Sequence, residues 1–176
     1  MPKPMRPDPA VTYGRENWIW VPAIADIQTP KLTEVTATSA LDITDILFDA
    51  TGDPTQSTNR VTAERRKGDT AQYERIGTTT FGGGDMLYAL SPQAAAASPG
   101  KKAWELFLGG VDGFLVRRLA VAKEIDFAIG QFVDVFPNSF GPSMPTKAGA
   151  GETGEAAATC GFAITAQPAF LRPLIA

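Results

Sequence analysis

The chain has 176 residues, 44% hydrophobic and 20% charged, with 17 glycines and 14 prolines; a chain of this size can bury about 70% of its unfolded surface in one domain, which excludes wholesale disorder. Lysine and arginine number 16 against 19 aspartate and glutamate, a net charge of -3, and that balance supplies no broad attraction for a phosphate backbone or an anionic membrane. There is no histidine and Cys160 is the single cysteine, so Ser–His and Cys–His catalysis, an intramolecular disulfide and a Cys/His zinc site are excluded.

Residues 1–12 read as an extended arm, because each proline of that stretch fixes its own φ and biases the residue before it toward extended geometry. No apolar run there is long enough for a signal peptide, and no later one approaches the roughly 20 residues of a spanning helix. Synthesis in a cytoplasm and a soluble product are expected. Glu16 to Val21 alternates, with Trp18 and Trp20 on one face, and predicts the first strand. Across residues 32–48 the apolar positions Leu41, Ile43, Ile46 and Leu47 fit neither period, while Leu32, Val35 and Ala37 suggest a short extended piece. Residues 49–59 have the composition of a long loop, and residues 60–67 offer only Val61 and Ala63 for burial, as an edge strand or exposed arm would.

Residues 72–80 carry Tyr73, Ile76 and a threonine run that favour strand. The glycines 82–84 break or bulge it, and a second strand resumes over 85–90, expected to pair with the first. A short helix is predicted over 100–107, with Ala103, Trp104 and Phe107 on one face. A glycine-rich turn leads into a strand over 114–121 that Arg117 and Arg118 interrupt; another over 129–136 is ended by Pro137. Residues 140–154 read as a second long loop. Cys160, Phe162, Ile164 and Ala166 then alternate with polar or small neighbours up to Pro168, a half-buried last strand. The fold class is mainly β, a sandwich or barrel-like domain over 1–176 with one flanking helix and long loops at 49–59 and 140–154.

Little in this pattern carries chemistry. Cys160 occupies an apolar strand position, where a small core filler is the commoner role. Asp42, Asp45, Asp49 and Asp53 lack the spacing of a calcium loop and read as a solvated acidic loop, and Glu124, Asp126 and Asp134 have nothing to fix the separation a glycosidase pair needs. The glycines 82–84 lack the spacing of a phosphate-binding loop. Four cations stand out as subunit-interface candidates. Arg65 and Arg66 belong to a short basic run, and Arg117 and Arg118 are neighbours on a strand, so they face opposite ways and one must meet the core side or a partner.

In order along the chain, residues 85–92, the helix through Trp104, residues 113–118, residues 131–137 and residues 162–168 resemble the major tail tube protein of bacteriophages with long, non-contractile tails. Residues 18–22 and 32–35 are similar to that family's N-terminal region. The resemblance covers most of the chain, and order and spacing carry it. It implies a sandwich or barrel-like fold, no enzyme activity and no cofactor. Subunits of this kind are expected to close into hexameric rings whose sheets join in an inner barrel, and the rings to stack into a virion tail tube assembled in the host cytoplasm. The implied partners are further copies of the chain and other tail proteins such as the tape measure, terminator and distal tail proteins, with DNA transiting the lumen without specific binding and no membrane contact. A head-decoration or head–tail connector protein, and a monomeric carbohydrate-binding sandwich, share the same strand pattern.

Overall fold

The computed structural model describes residues 11–49 and 51–176. The arm expected over 1–12 lies outside the described residues except for Val11 and Thr12, which are exposed. The sheet begins with β1 (Glu16–Val21), followed by α1 (Leu32–Val35) and β2 (Leu41–Asp42). Next come β3 (Thr55–Thr62), β4 (Glu74–Gly82), β5 (Asp85–Ala89), α2 (Pro99–Phe107) and β6 (Val111–Leu119). The last strands are β7 (Phe132–Phe140), β8 (Met144–Ala148), β9 (Glu155–Ile164) and β10 (Ala169–Pro173).

Eight of these strands form one antiparallel sheet, in the order β2-β1-β6-β7-β9-β5, with β8 against β9 and β10 against β7. The last two additions make long interrupted rows. β7 and β8 run along one side of β9, and β9 and β10 run along one side of β7, so two bent strands span the sheet. The sheet curls until one strap serves both its margins: Ile43 N–H donates to Trp18 O on β1, while Ala89 N–H on β5 donates to Ile46 O and Phe48 N–H to Leu87 O. This is the mainly β, barrel-like fold that the alternating runs predict.

Because side chains alternate across a strand, each face of the curl has its own core. Trp20, Leu115 and Phe136 lie in register across β1, β6 and β7, and with Tyr88, Phe107, Phe140 and Phe162 they fill the inside. α2 closes this interior by burying Ala103 and Phe107; Phe107 stacks on Phe140 at 4.3 Å and meets Tyr88 edge-on at 5.9 Å. Gly113 is required where it stands, since a Cβ there would come within 2.6 Å of the Trp20 indole nitrogen. On the outside, Ile19, Val116 and Val135 form the matching row, covered by Val35 of α1 and by Leu174 near the C-terminus.

Several expectations need correction. Residues 32–35 are one helical turn and not an extended piece, because the Glu34 carboxylate reaches back to accept from Lys31 N–H at 3.0 Å and from Ala25 N–H at 2.9 Å. The strand expected to stop at Pro137 runs to Phe140. Pro137 sits where β9 gives way to β10, and its carbonyl accepts from Thr165 N–H while its missing N–H falls at the break between those two strands. The stretch 140–154 contains β8, and 49–59 contains the start of β3, so both are shorter as loops than composition suggests. The strands expected over 72–80 and 85–90 do not pair with each other. β5 takes Met86 and Tyr88 into the core against β9, whereas the polar β4 pairs with the equally polar β3.

Candidate assembly surface

β3 and β4 form a separate two-stranded sheet, and every residue of the pair is exposed or only half-buried. β-Branched threonines and the lack of buried positions explain it: these residues suit a pleated strand but give it nothing to pack against. The hairpin is held by its own ladder, by a Thr58–Thr79 hydroxyl contact of 3.3 Å and by a solvated Arg60–Glu74 pair at 4.0 Å that contributes little. A lone hairpin is marginal in water. This one also exposes Val61, Tyr73 and Ile76, the last 73% accessible. Its five cations, Arg60, Arg65, Arg66, Lys67 and Arg75, outnumber Glu64, Asp69 and Glu74 by two, so within a chain of net charge -3 the rest carries -5.

The four candidate arginines part company. Arg65 and Arg66 sit in the exposed turn at the hairpin tip, where Arg66 N–H donates to the Asp69 carboxylate at 2.9 Å and Asp69 N–H returns a bond to Arg66 O at 3.0 Å. Arg117 and Arg118 do face opposite ways. Arg117 points to the inner face, in register with Trp18 and Asp134, and donates through Nε and Nη2 to the Asp134 carboxylate at 3.2 and 2.9 Å. Its guanidinium lies over the Trp18 and Phe136 rings, 5.5 and 5.4 Å from their centres.

Arg118 is 0% exposed on the outer face. Its five-donor fork binds Asn17 Oδ1 at 2.7 Å, Gln131 Oε1 at 2.7 Å and the carbonyls of Ile125 and Asp126 at 2.5 and 3.1 Å, with the Phe127 ring 4.1 Å away. One side chain thereby fixes the whole β6–β7 connection. Burial pulls its pKa below the usual guanidinium value, and Asp126 and Asp42 oppose that.

The acidic groups are placed by the same geometry. Glu16, at the polar end of the inner face, accepts from the Trp18 indole N–H at 2.9 Å. Burial raises its pKa, the Trp18 bond opposes this, and the charges of Asp53 and Asp49 push it further up. Asp45 pairs with Lys123. Among the described residues no three acidic or sulfur ligands converge as a metal site would require. Cys160 is the buried core filler its strand position suggests, and burial pushes its thiol up to about 11. Sequence reasoning missed Asp134 as Arg117's partner; the signal was a lone carboxylate in the apolar run 131–137.

A curled antiparallel sheet filled on both faces, with a polar hairpin beside it, defines a mainly β, barrel-like domain. The chain belongs to the family described as Phage tail tube protein, which it matches over residues 4–174. It is a structural component of the phage tail in the virion, and its role there is not enzymatic. A search of curated proteins finds no match.

Proposed function

We propose that the chain, as one domain over 1–176, closes into hexameric rings that stack into the tail tube and form the conduit for DNA ejection. Family membership supports this, and the observation that carries it is the β3–β4 hairpin: two strands whose outer edges are unpaired among the described residues, with exposed Val61, Tyr73 and Ile76, gain most when a second copy covers them. The hairpin is also opposite in charge to the remainder of its own chain, which favours contact between one copy's hairpin and another copy's body.

In this reading Arg65 and Arg66 touch neighbouring copies directly. Arg117 and Arg118 already have partners in their own chain and contribute by holding the inner face and the β6–β7 connection in shape. The net negative charge lets DNA pass without sticking. Assembly takes place in the host cytoplasm, with the tape measure, terminator and distal tail proteins as the other partners. Electron microscopy of the purified protein tests the proposal. Tubes or six-fold rings are expected; trimers, or particles that stay monomeric at every concentration, overturn it.

A further inference from the structure

The hairpin joins the barrel through very few contacts. Gly83 passes the backbone of β9 so closely that a Cβ would collide with the Phe162 carbonyl oxygen, and Phe162 N–H donates to Gly84 O at 2.8 Å. These contacts fix where the hairpin starts but leave its direction open, since three successive glycines supply little side-chain hindrance at the pivot.

Direction is set on the other side of the root. The Phe81 ring at the end of β4 rests 6.1 Å from Phe170, which itself meets Phe136 edge-on at 5.8 Å. Between hairpin and barrel lies a cavity of about 180 Å³ lined by Pro54, Thr55, Phe81, Arg117, Phe136 and Phe170, so aromatic contact, and not a packed core, is the stop.

Phe170 is where it is because β10 is bulged. The register against β7 jumps between Ala169 and Arg172, and Leu171 takes φ 49°, a left-handed conformation that a branched side chain disfavours. A side-chain bond meets the backbone at that point: Leu171 N–H donates to Asp134 Oδ1 at 2.9 Å. The other carboxylate oxygen of Asp134 takes both Arg117 bonds, and Asp134 is 5% exposed.

We propose that Asp134 is a positioning residue that sets the angle at which the hairpin leaves the barrel, acting through the Leu171 bulge and the Phe170–Phe81 contact. Arg117 locks the carboxylate, the carboxylate locks the bulge, and the bulge aims the ring on which the hairpin leans. The consequence is a projecting arm that keeps a preferred direction without a core of its own.

The test reads hairpin direction in the free subunit and does not depend on tube formation. Spin labels on Thr70→Cys at the tip and Lys102→Cys on α2, in a Cys160→Ala background and diluted with unlabelled chain, report their distance distribution by pulsed electron resonance. A single narrow distribution is expected for the parent, and a broadened or shifted one for Asp134→Ala and for Phe170→Ala. Leu171→Gly keeps the donating N–H and adopts a left-handed φ freely, so it should retain the parental distribution. A parental distribution in folded Asp134→Ala or in Phe170→Ala overturns the proposal, as does a broadened one in Leu171→Gly. Thermal melts establish folding, and Phe170 is 41% exposed, so its variant decides alone if Asp134→Ala does not fold.

Discussion

The barrel and the hairpin are built from the same kind of strand and meet opposite fates. Leu115, Val116, Val133 and Val135 in the barrel bury side chains on both faces, and every strand row has a neighbour. In the hairpin, Thr58 pairs with Thr79 and Arg60 with Ile76 on either side of a register shift, and no residue of the two strands is buried. Ladder hydrogen bonds are common to both, so they do not account for the difference; the net worth of each is about 0.5–1.5 kcal/mol, and burial decides the rest. A strand that forms without burial in its own subunit has its stabilising surface elsewhere. On the proposal that copies of the chain assemble into a tube, elsewhere is the next copy.

Substitutions in the body should therefore cost far more in the free subunit than substitutions in the hairpin. The largest effect is expected for Phe107→Ala, which empties the contact with Trp20, Tyr88 and Phe140 and should cost about 3–5 kcal/mol in denaturant unfolding. A loss no greater than that of a surface change would mean that α2 does not close the interior. Arg118→Ala should come next, at about 3 kcal/mol, because Asn17 loses its donor while buried and Gln131 and the carbonyls of Ile125 and Asp126 lose theirs at a partly buried site. Arg118→Lys should restore little of this, since an ammonium cannot reproduce the planar fork; full restoration would show that charge and not geometry holds the β6–β7 connection.

Those two residues also mark what a reader of the sequence could and could not know. Periodicity located the strand at Glu16–Val21 and the helix around Phe107, because an alternating or helical apolar pattern is a direct record of one buried face. The alternation rule likewise established that Arg117 and Arg118 part to opposite faces. It could not say that Arg118 meets Asn17 and acceptors of the β6–β7 connection, since those come together only when β1 pairs with β6. β3 was hidden for a related reason. Residues 49–59 have loop composition, and Thr55–Thr62 become strand by pairing with β4 across the turn and not by burying anything. β8 escaped because it pairs with β9, the strand that follows it in the chain, and the continuation of β7 past Pro137 because it is held between β6 and β9.

A smaller effect is expected at the polar end of the inner face. The raised pKa of Glu16 means that the folded state holds the proton more tightly than the unfolded chain, so this residue's contribution is complete below the ordinary value of 4.5 and is lost as pH rises through the folded value. Glu16→Gln keeps an acceptor for the Trp18 indole and removes the repulsion from Asp53 and Asp49. It should stabilise the protein at neutral pH by less than about 1 kcal/mol, given the group's partial exposure. Stability of the two proteins measured from pH 4 to 7 checks the sign: the variant's advantage should grow with pH, and an advantage that shrinks would place Glu16 among stabilising carboxylates instead.

The smallest effect in the free subunit, and the one that bears most on assembly, is expected for Ile76→Thr. Ile76 is 73% exposed opposite Arg60, and threonine suits the strand as well as isoleucine does, so unfolding of the free chain should change by no more than about 0.5 kcal/mol. If a second copy covers this position, the same substitution forfeits much of the roughly 1.5–3 kcal/mol that full burial of an isoleucine contributes. That loss should appear as a higher concentration threshold for polymerisation in light scattering. The two measurements pull apart only if the hairpin's stabilising contacts lie between copies. Equal losses in both would place its packing within the subunit, and no change in either would remove this face of the hairpin from the contact between copies.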